Sequence, residues 1–194
     1  MCKINIFARN SFNYSPIRPI FAGRIKNITM KEMIITTKII ECGMDELTPE
    51  DQELVKAAKE MTRVSFAPYS QFHVGAAIRM ENGDIIRGSN QENAAYPSGT
   101  CAERTACYYA SAHLPGMPMK KIAVAAWTRL HQPETATDEE CFQAEPISPC
   151  GACRQALLEY EAKFGPIEVI LYGRNRIYRL PSVASLMPLS FTEF

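Results

Sequence analysis

Residues 98–127 read SGTCAERTACYYASAHLPGMPMKKIAVAAW. Pro97, Ser98 and Gly99 make an entry, and CAERTACYYASA, from Cys101 to about Ala112, favours helix. Lys121 to Trp127 is a short apolar run of the kind found in a buried strand. A helix that delivers the chain into a buried strand is a building unit of layered α/β domains.

Outward from this unit the same alternation continues. Towards the N-terminus, Thr48 can cap a helix with Pro49 at its first position and Glu50 and Asp51 complementing its dipole. Leu54, Val55, Ala58 and Met61 then keep helical spacing to about Thr62. Phe72 to Met80 reads as a strand, Asn82-Gly83 as a hairpin turn, and Asp84 to Gly88 as the returning strand. Towards the C-terminus, residues 128–149 are acidic and rich in turn formers, which predicts a surface loop. A helix from Cys150 to about Tyr160, a strand from Ile167 to Tyr172 and a short helix over Ser182 to Leu186 follow. The order implies one α/β domain over residues 44–194, a mixed sheet with helices packed on it.

Residues 1–43 read as a basic N-terminal extension. Residues 1–31 hold six basic residues and no acid, while the rest holds 15 basic and 21 acidic, so +6 and −6 make up the net zero of the 194-residue chain. Pro16 and Pro19 interrupt any amphipathic helix in the leader, which lacks a secretory apolar core. A flexible arm, a transit-like peptide, or sequence upstream of a start at Met30 are the readings it allows. The acidic domain argues against polynucleotides as partners, and short apolar runs argue against a membrane span.

Seven cysteines without an export signal point to a reducing compartment, taken as the cytoplasm. Cys150 and Cys153, three apart on a first helical turn, share a face and can both reach one zinc ion. Cys101, at another helix start, supplies a third sulfur, and three protein ligands leave a tetrahedral ion one open position. Helix N-termini favour the thiolate. Glu103, two residues from Cys101, can shuttle a proton, and Arg104 can offset the negative charge of three thiolates. A closed structural site would bring a fourth ligand; His73, His113 and His131 lack metal spacing. Cys107 reads as core, Cys2, Cys42 and Cys141 as incidental, and Tyr108 and Tyr109 as packing or interface residues.

C-x-E followed by P-C-x-x-C matches a zinc-deaminase signature. With residues 69–77 (YSQFHVGAA), 90–96 (NQENAAY), 101–106 (CAERTA), 148–155 (SPCGACRQ) and 186–191 (LMPLSF), the chain resembles the small, three-cysteine, homotetrameric cytidine deaminases over roughly residues 47–192. The resemblance implies a three-layer α/β/α fold around a mixed five-stranded sheet, and one Zn2+ per subunit on Cys101, Cys150 and Cys153. It implies Glu103 as the proton shuttle, Asn90 and Glu92 on the ribose, Phe72 against the base, and Tyr96 and Phe191 near active sites at subunit contacts. The reaction implied is hydrolysis of cytidine and deoxycytidine to uridine and deoxyuridine with release of ammonia, using water and a small nucleoside. Gln91, where the family commonly has an apolar residue, the leader, and a longer 128–148 loop depart from the pattern. The competing readings are a deaminase of another aminopyrimidine nucleoside, such as an antibiotic, a polynucleotide deaminase, and a non-catalytic zinc-stabilised module.

Overall fold

The apolar run at residues 121–127 is the centre of the sheet. The structure, a computed structural model, describes residues 30–192. The readings of the basic leader and of Cys2 fall on residues 1–29, outside the described residues. The chain divides into two units, Met1–Ile34 and Ile35–Phe194, and the second holds every element named below.

These elements are β1 (Ile40–Cys42), α1 (Pro49–Met61), β2 (His73–Met80), β3 (Ile85–Ser89), α2 (Ala102–His113), β4 (Met119–Trp127), α3 (Gly151–Phe164), β5 (Glu168–Tyr172) and β6 (Ile177–Leu180). The sheet order is β1-β6-β5-β4-β2-β3. Only β4 and β5 pair in parallel; the other neighbours are antiparallel.

Alternation along the strands assigns the two faces. Ala76, Ile78, Ile122, Val124, Val169 and Leu171 pack with Ala106, Cys107, Ala110, Leu157 and Leu158 of α2 and α3. The intervening Ala77, Ala123, Ala125 and Ile170 pack with Leu54, Val55 and Ala58 of α1. Burying each Leu, Ile or Val side chain contributes roughly 1.5–3 kcal/mol. Small residues let the helices approach closely. A Cβ at Gly75 would stand 2.0 Å from the Ala58 carbonyl oxygen of α1, and one at Gly88 would stand 2.5 Å from the Ala106 nitrogen of α2.

The helix and hairpin signals are borne out. Thr48 caps α1, its Oγ1 accepting from the Asp51 N–H at 3.2 Å. Asn82 Oδ1 accepts from the Asp84 N–H at 3.1 Å in the turn between β2 and β3.

Two expectations are corrected. Among the described residues the sheet has six strands, not five. The sixth, β1, comes from residues assigned to the extension; a three-residue edge strand pairs through its backbone and leaves almost no periodic signal. The short helix expected over Ser182 to Leu186 is present as a single 3-10 turn, Ala184–Leu186, between Pro181 and Pro188. The 128–149 loop is not wholly on the surface. Trp127 and Phe142 form an antiparallel bridge, and Cys141 and Phe142 are buried. Lys59 of α1 ties the loop down through Glu139 at 2.8 Å, and Arg63 does so through Asp138.

Candidate active site

Because α2 leads into β4, α3 leads into β5, and these strands are parallel, both helices start at the same end of the two strands. Cys101 is the N-cap of α2 and Cys150 the N-cap of α3, each on extended backbone. Cys153 lies one turn into α3 and is buried. The Cys101 and Cys150 sulfurs are 3.8 Å apart, those of Cys150 and Cys153 are 3.5 Å apart, and all three lie within 4.8 Å of one another.

Tetrahedral zinc with Zn–S bonds of about 2.3 Å sets its sulfurs roughly 3.8 Å apart. The three thiols therefore fit one zinc ion and leave it a free coordination position. Two helix N-termini face the cluster with unpaired N–H groups, which stabilise the negative charge of thiolates.

The charges around the sulfurs are arranged accordingly. A hydrogen bond with the Cys153 thiol, followed by the Arg104 guanidinium, holds the Cys101 pKa down to about 5. Cys153 is pushed up, first by sharing its proton with Cys101 and then by burial. Arg104 Nη2 lies 3.9 Å from Cys101 Sγ. Glu103, in the first turn of α2, is only 4% exposed, and burial raises its carboxyl above the ordinary value. A buried carboxyl poised upward in pKa beside a metal site is suited to taking and returning a proton.

A cavity of about 530 Å3 opens beside the cluster, with Asn90, Glu92, Tyr96, Cys101 and Arg104 in its wall. Asn90 Oδ1 accepts from the Val74 N–H at 2.8 Å, and its Nδ2 donates to the Phe72 carbonyl at 2.9 Å. Glu92 accepts from the Tyr69 and Ser70 N–H groups at 2.9 and 3.2 Å and from Ser70 Oγ at 2.5 Å. The Ser70 hydroxyl above all, with those N–H groups, lowers its pKa. Tyr96 is 91% exposed at the cavity wall.

Phe72 and Phe191 do not line this cavity. Phe72 is half-buried and meets Asn90 through its carbonyl. Phe191 is exposed at the end of the C-terminal tail, its carbonyl accepting from Gln155 Nε2 at 2.8 Å. A larger hollow of about 730 Å3, between α1 and residues 138–142, contains none of the cluster. Sequence reasoning missed Ser70, which orders Glu92, and Arg154, which follows Cys153 and binds Pro149, Ser148 and Leu186. No spacing rule marks either, because their partners are backbone groups or neighbours brought close by folding.

The family model described as the cytidine and deoxycytidylate deaminase zinc-binding region matches residues 48–166, and the chain belongs to that family. A cytidine deaminase of Halalkalibacterium halodurans is 36% identical over 144 residues, covering 73% of this chain and 93% of the relative. The crystal structure of cytidine deaminase from Burkholderia pseudomallei superposes with a TM-score of 0.59 at 36% identity, covering 75% of this chain and all of that one (100%). A blasticidin-S deaminase of Bacillus cereus is 30% identical over 147 residues, covering 76% of this chain and 96% of the relative.

Proposed function

We propose that the chain deaminates cytidine and deoxycytidine hydrolytically, giving uridine or deoxyuridine and ammonia. The observation that carries this is the juxtaposition of three thiols able to hold one zinc ion, the buried Glu103, and the cavity walled by Asn90 and Glu92. Cys101, Cys150 and Cys153 would hold the zinc. When bound, it supplies the Lewis acidity that lets a water molecule ionise near neutral pH.

The other steps belong to the chain's own side chains. Glu103 takes the proton released by the water, delivers it to N3 of the cytosine ring, and serves the departing amine in turn. Asn90 and Glu92 spend part of their hydrogen-bonding capacity on the backbone, which fixes their orientation. Each keeps acceptor capacity, and Asn90 a second N–H, for ribose hydroxyls. Phe72 is the aromatic face assigned to the base, and Phe191, with Tyr96, is assigned to the surroundings of an active site at a subunit contact. Arg104 offsets the charge of the thiolates.

Exposed Tyr96 at the cavity wall and exposed Tyr108 and Tyr109 on α2 support assembly into a homotetramer that covers them. The free Cys101, Cys107, Cys150 and Cys153 support a reducing, cytoplasmic setting. Among the described residues no helix is long and apolar enough to cross a membrane.

The test is incubation of zinc-loaded protein with cytidine, deoxycytidine, blasticidin S and single-stranded DNA, following ammonia and cytosine absorbance with a chelator control. Turnover of either natural nucleoside is expected, and sedimentation at four chains per particle. Turnover of blasticidin S alone would establish the antibiotic reading, for which the Bacillus cereus relative is the specific support. Bound zinc without turnover of anything would leave a non-catalytic module.

A further inference from the structure

The first turns of α3 hold more than metal ligands. Every nitrogen of the Arg154 guanidinium is engaged: Nε donates to the Pro149 carbonyl at 2.7 Å, Nη2 to Ser148 Oγ at 2.9 Å, and Nη1 to the Leu186 carbonyl at 3.0 Å. Pro149 immediately precedes Cys150, and Leu186 is where the C-terminal tail leaves its 3-10 turn. One residue on, Gln155 Nε2 donates to the carbonyl of Phe191 at 2.8 Å. Deeper in α3, the buried Glu161 carboxylate accepts from the Val183 and Ala184 N–H groups at 2.7 and 2.8 Å, which anchors the start of the same segment.

We propose that Arg154 is a positioning residue for the reaction, coupling the turn that carries Cys150 and Cys153 to the tail that carries Phe191, with Gln155 as a second clip. The physical argument is the fork. A guanidinium presents its donors in one rigid plane, so three acceptors bound to it are fixed relative to one another, which a flexible ammonium cannot do. The tail from 187 to 192 contains no helix or strand, and residues 188–192 are exposed. Its placement therefore depends on side-chain clips rather than on a sheet ladder. The proposal rests on the reading of Cys150 and Cys153 as zinc ligands and of Phe191 as a substrate-side aromatic.

The test compares full-length Arg154→Ala, Arg154→Lys, Gln155→Ala and Phe191→Ala proteins, and the Arg154→Ala/Phe191→Ala double variant. It reads zinc content, kcat and KM for cytidine, and amide hydrogen exchange over residues 184–192. Arg154→Ala is expected to keep one zinc per chain, to raise KM by about tenfold, the equivalent of about 1.4 kcal/mol, with a smaller fall in kcat, and to speed exchange of the Leu186 and Met187 amides. Arg154→Lys should fall between it and the wild type. Gln155→Ala should raise KM about threefold, within the range of one neutral hydrogen bond. In the double variant the two KM effects should combine to less than their product, because Arg154 acts through the tail.

Unchanged tail exchange in both clip variants overturns the proposal. So does a KM effect of Arg154→Ala that multiplies fully with that of Phe191→Ala. Should Arg154→Ala fail to fold, Gln155→Ala carries the test through the same readouts. A wild-type protein inactive on both nucleosides would bring down the deaminase reading instead, and the exchange measurement would then decide the tail contact alone.

Discussion

The sulfurs of Cys101 and Cys150 stand 3.8 Å apart although 49 residues separate them in the chain. What brings them together is the parallel pairing of β4 with β5, which starts α2 and α3 at one end of these two strands. The site is thus a product of topology, with each N-cap cysteine contributed by a different α–β unit.

Glu103 is the group whose removal should separate metal binding from chemistry. Glu103→Gln keeps the side chain's volume and is expected to retain one zinc per chain while kcat falls by roughly 10²- to 10⁴-fold, the usual worth of a general acid–base. Metal analysis beside steady-state kinetics checks it, and a kcat within about threefold of wild type would refute the shuttle role.

Cys150 is exposed and Cys153 buried, yet both serve the same three-sulfur cluster. Cys150→Ala leaves two thiols, and the expected result is loss of bound zinc and of activity. The far-ultraviolet circular dichroism of the sheet should persist, since Cys150 is not part of either apolar cluster. Retention of zinc at wild-type affinity would remove Cys150 from the ligand set.

Arg104 presents its guanidinium to Cys101 Sγ at 3.9 Å. Arg104→Ala leaves the negative charge of three thiolates uncompensated, and a loss of about 10- to 100-fold in activity or zinc affinity is expected, typical of groups that support metal ligands. Competition with a chromophoric chelator measures the second quantity.

Glu92 titrates below an ordinary glutamate because Ser70 and the Tyr69 and Ser70 N–H groups bind its ionised form. For a carboxylate with a lowered folded pKa, the contact stabilises the fold above the unfolded value and is lost as pH falls through the folded one. Ser70→Ala is therefore expected to move the Glu92 titration upward in a carbon-detected NMR experiment and to weaken the protein at neutral pH, the difference from wild type vanishing as pH falls through the folded Glu92 pKa. A titration indistinguishable from wild type would contradict the hydrogen bond.

Gly88→Ala tests how closely α2 lies on the sheet. Its Cβ would meet the Ala106 nitrogen at 2.5 Å and the Ala102 carbonyl oxygen at 2.6 Å, both backbone atoms that cannot swing away. Overpacking of this kind costs about 1–3 kcal/mol, and for a domain of this size each kcal/mol lowers Tm by roughly 2–4 °C. Calorimetry reads it directly; a Tm equal to wild type would mean that the helix can lift without cost.

What was legible in the sequence is what local chemistry specifies. Thr48 with Pro49, Asn82-Gly83, and the helical spacing of Leu54, Val55 and Ala58 each constrain their own neighbours, so α1, β2 and β3 could be read within a few residues. The Cys150 and Cys153 pair was legible because ligand spacing on a helix turn is itself local, whereas Cys101 was legible only through the C-x-E signature, since 49 positions separate it from Cys150. β1 and β6 were not, because strands of three and four residues carry too few alternations to register. Nor was the burial of Cys141 and Phe142, which arises from ties between the 138–142 segment and Lys59, Arg63 and Tyr172. Arg154 and Gln155 lie in the motif that the cysteines mark, while the partners that tie them to the tail, Leu186 and Phe191, lie more than 30 residues away.

Cys107, in the middle of α2, is sealed in the core, and burial pushes its thiol up to about 12. Cys141 is equally enclosed. Only the thiolate reacts with alkylating dyes. The described cysteines thus sort into Cys107, silent by its raised pKa, Cys141, shut away from any reagent by burial, a half-shielded Cys42, and the Cys101, Cys150 and Cys153 cluster that zinc would mask. A colorimetric thiol count, taken before and after a chelator, becomes a gauge of how much of a preparation is loaded, readable without substrate and without a metal assay.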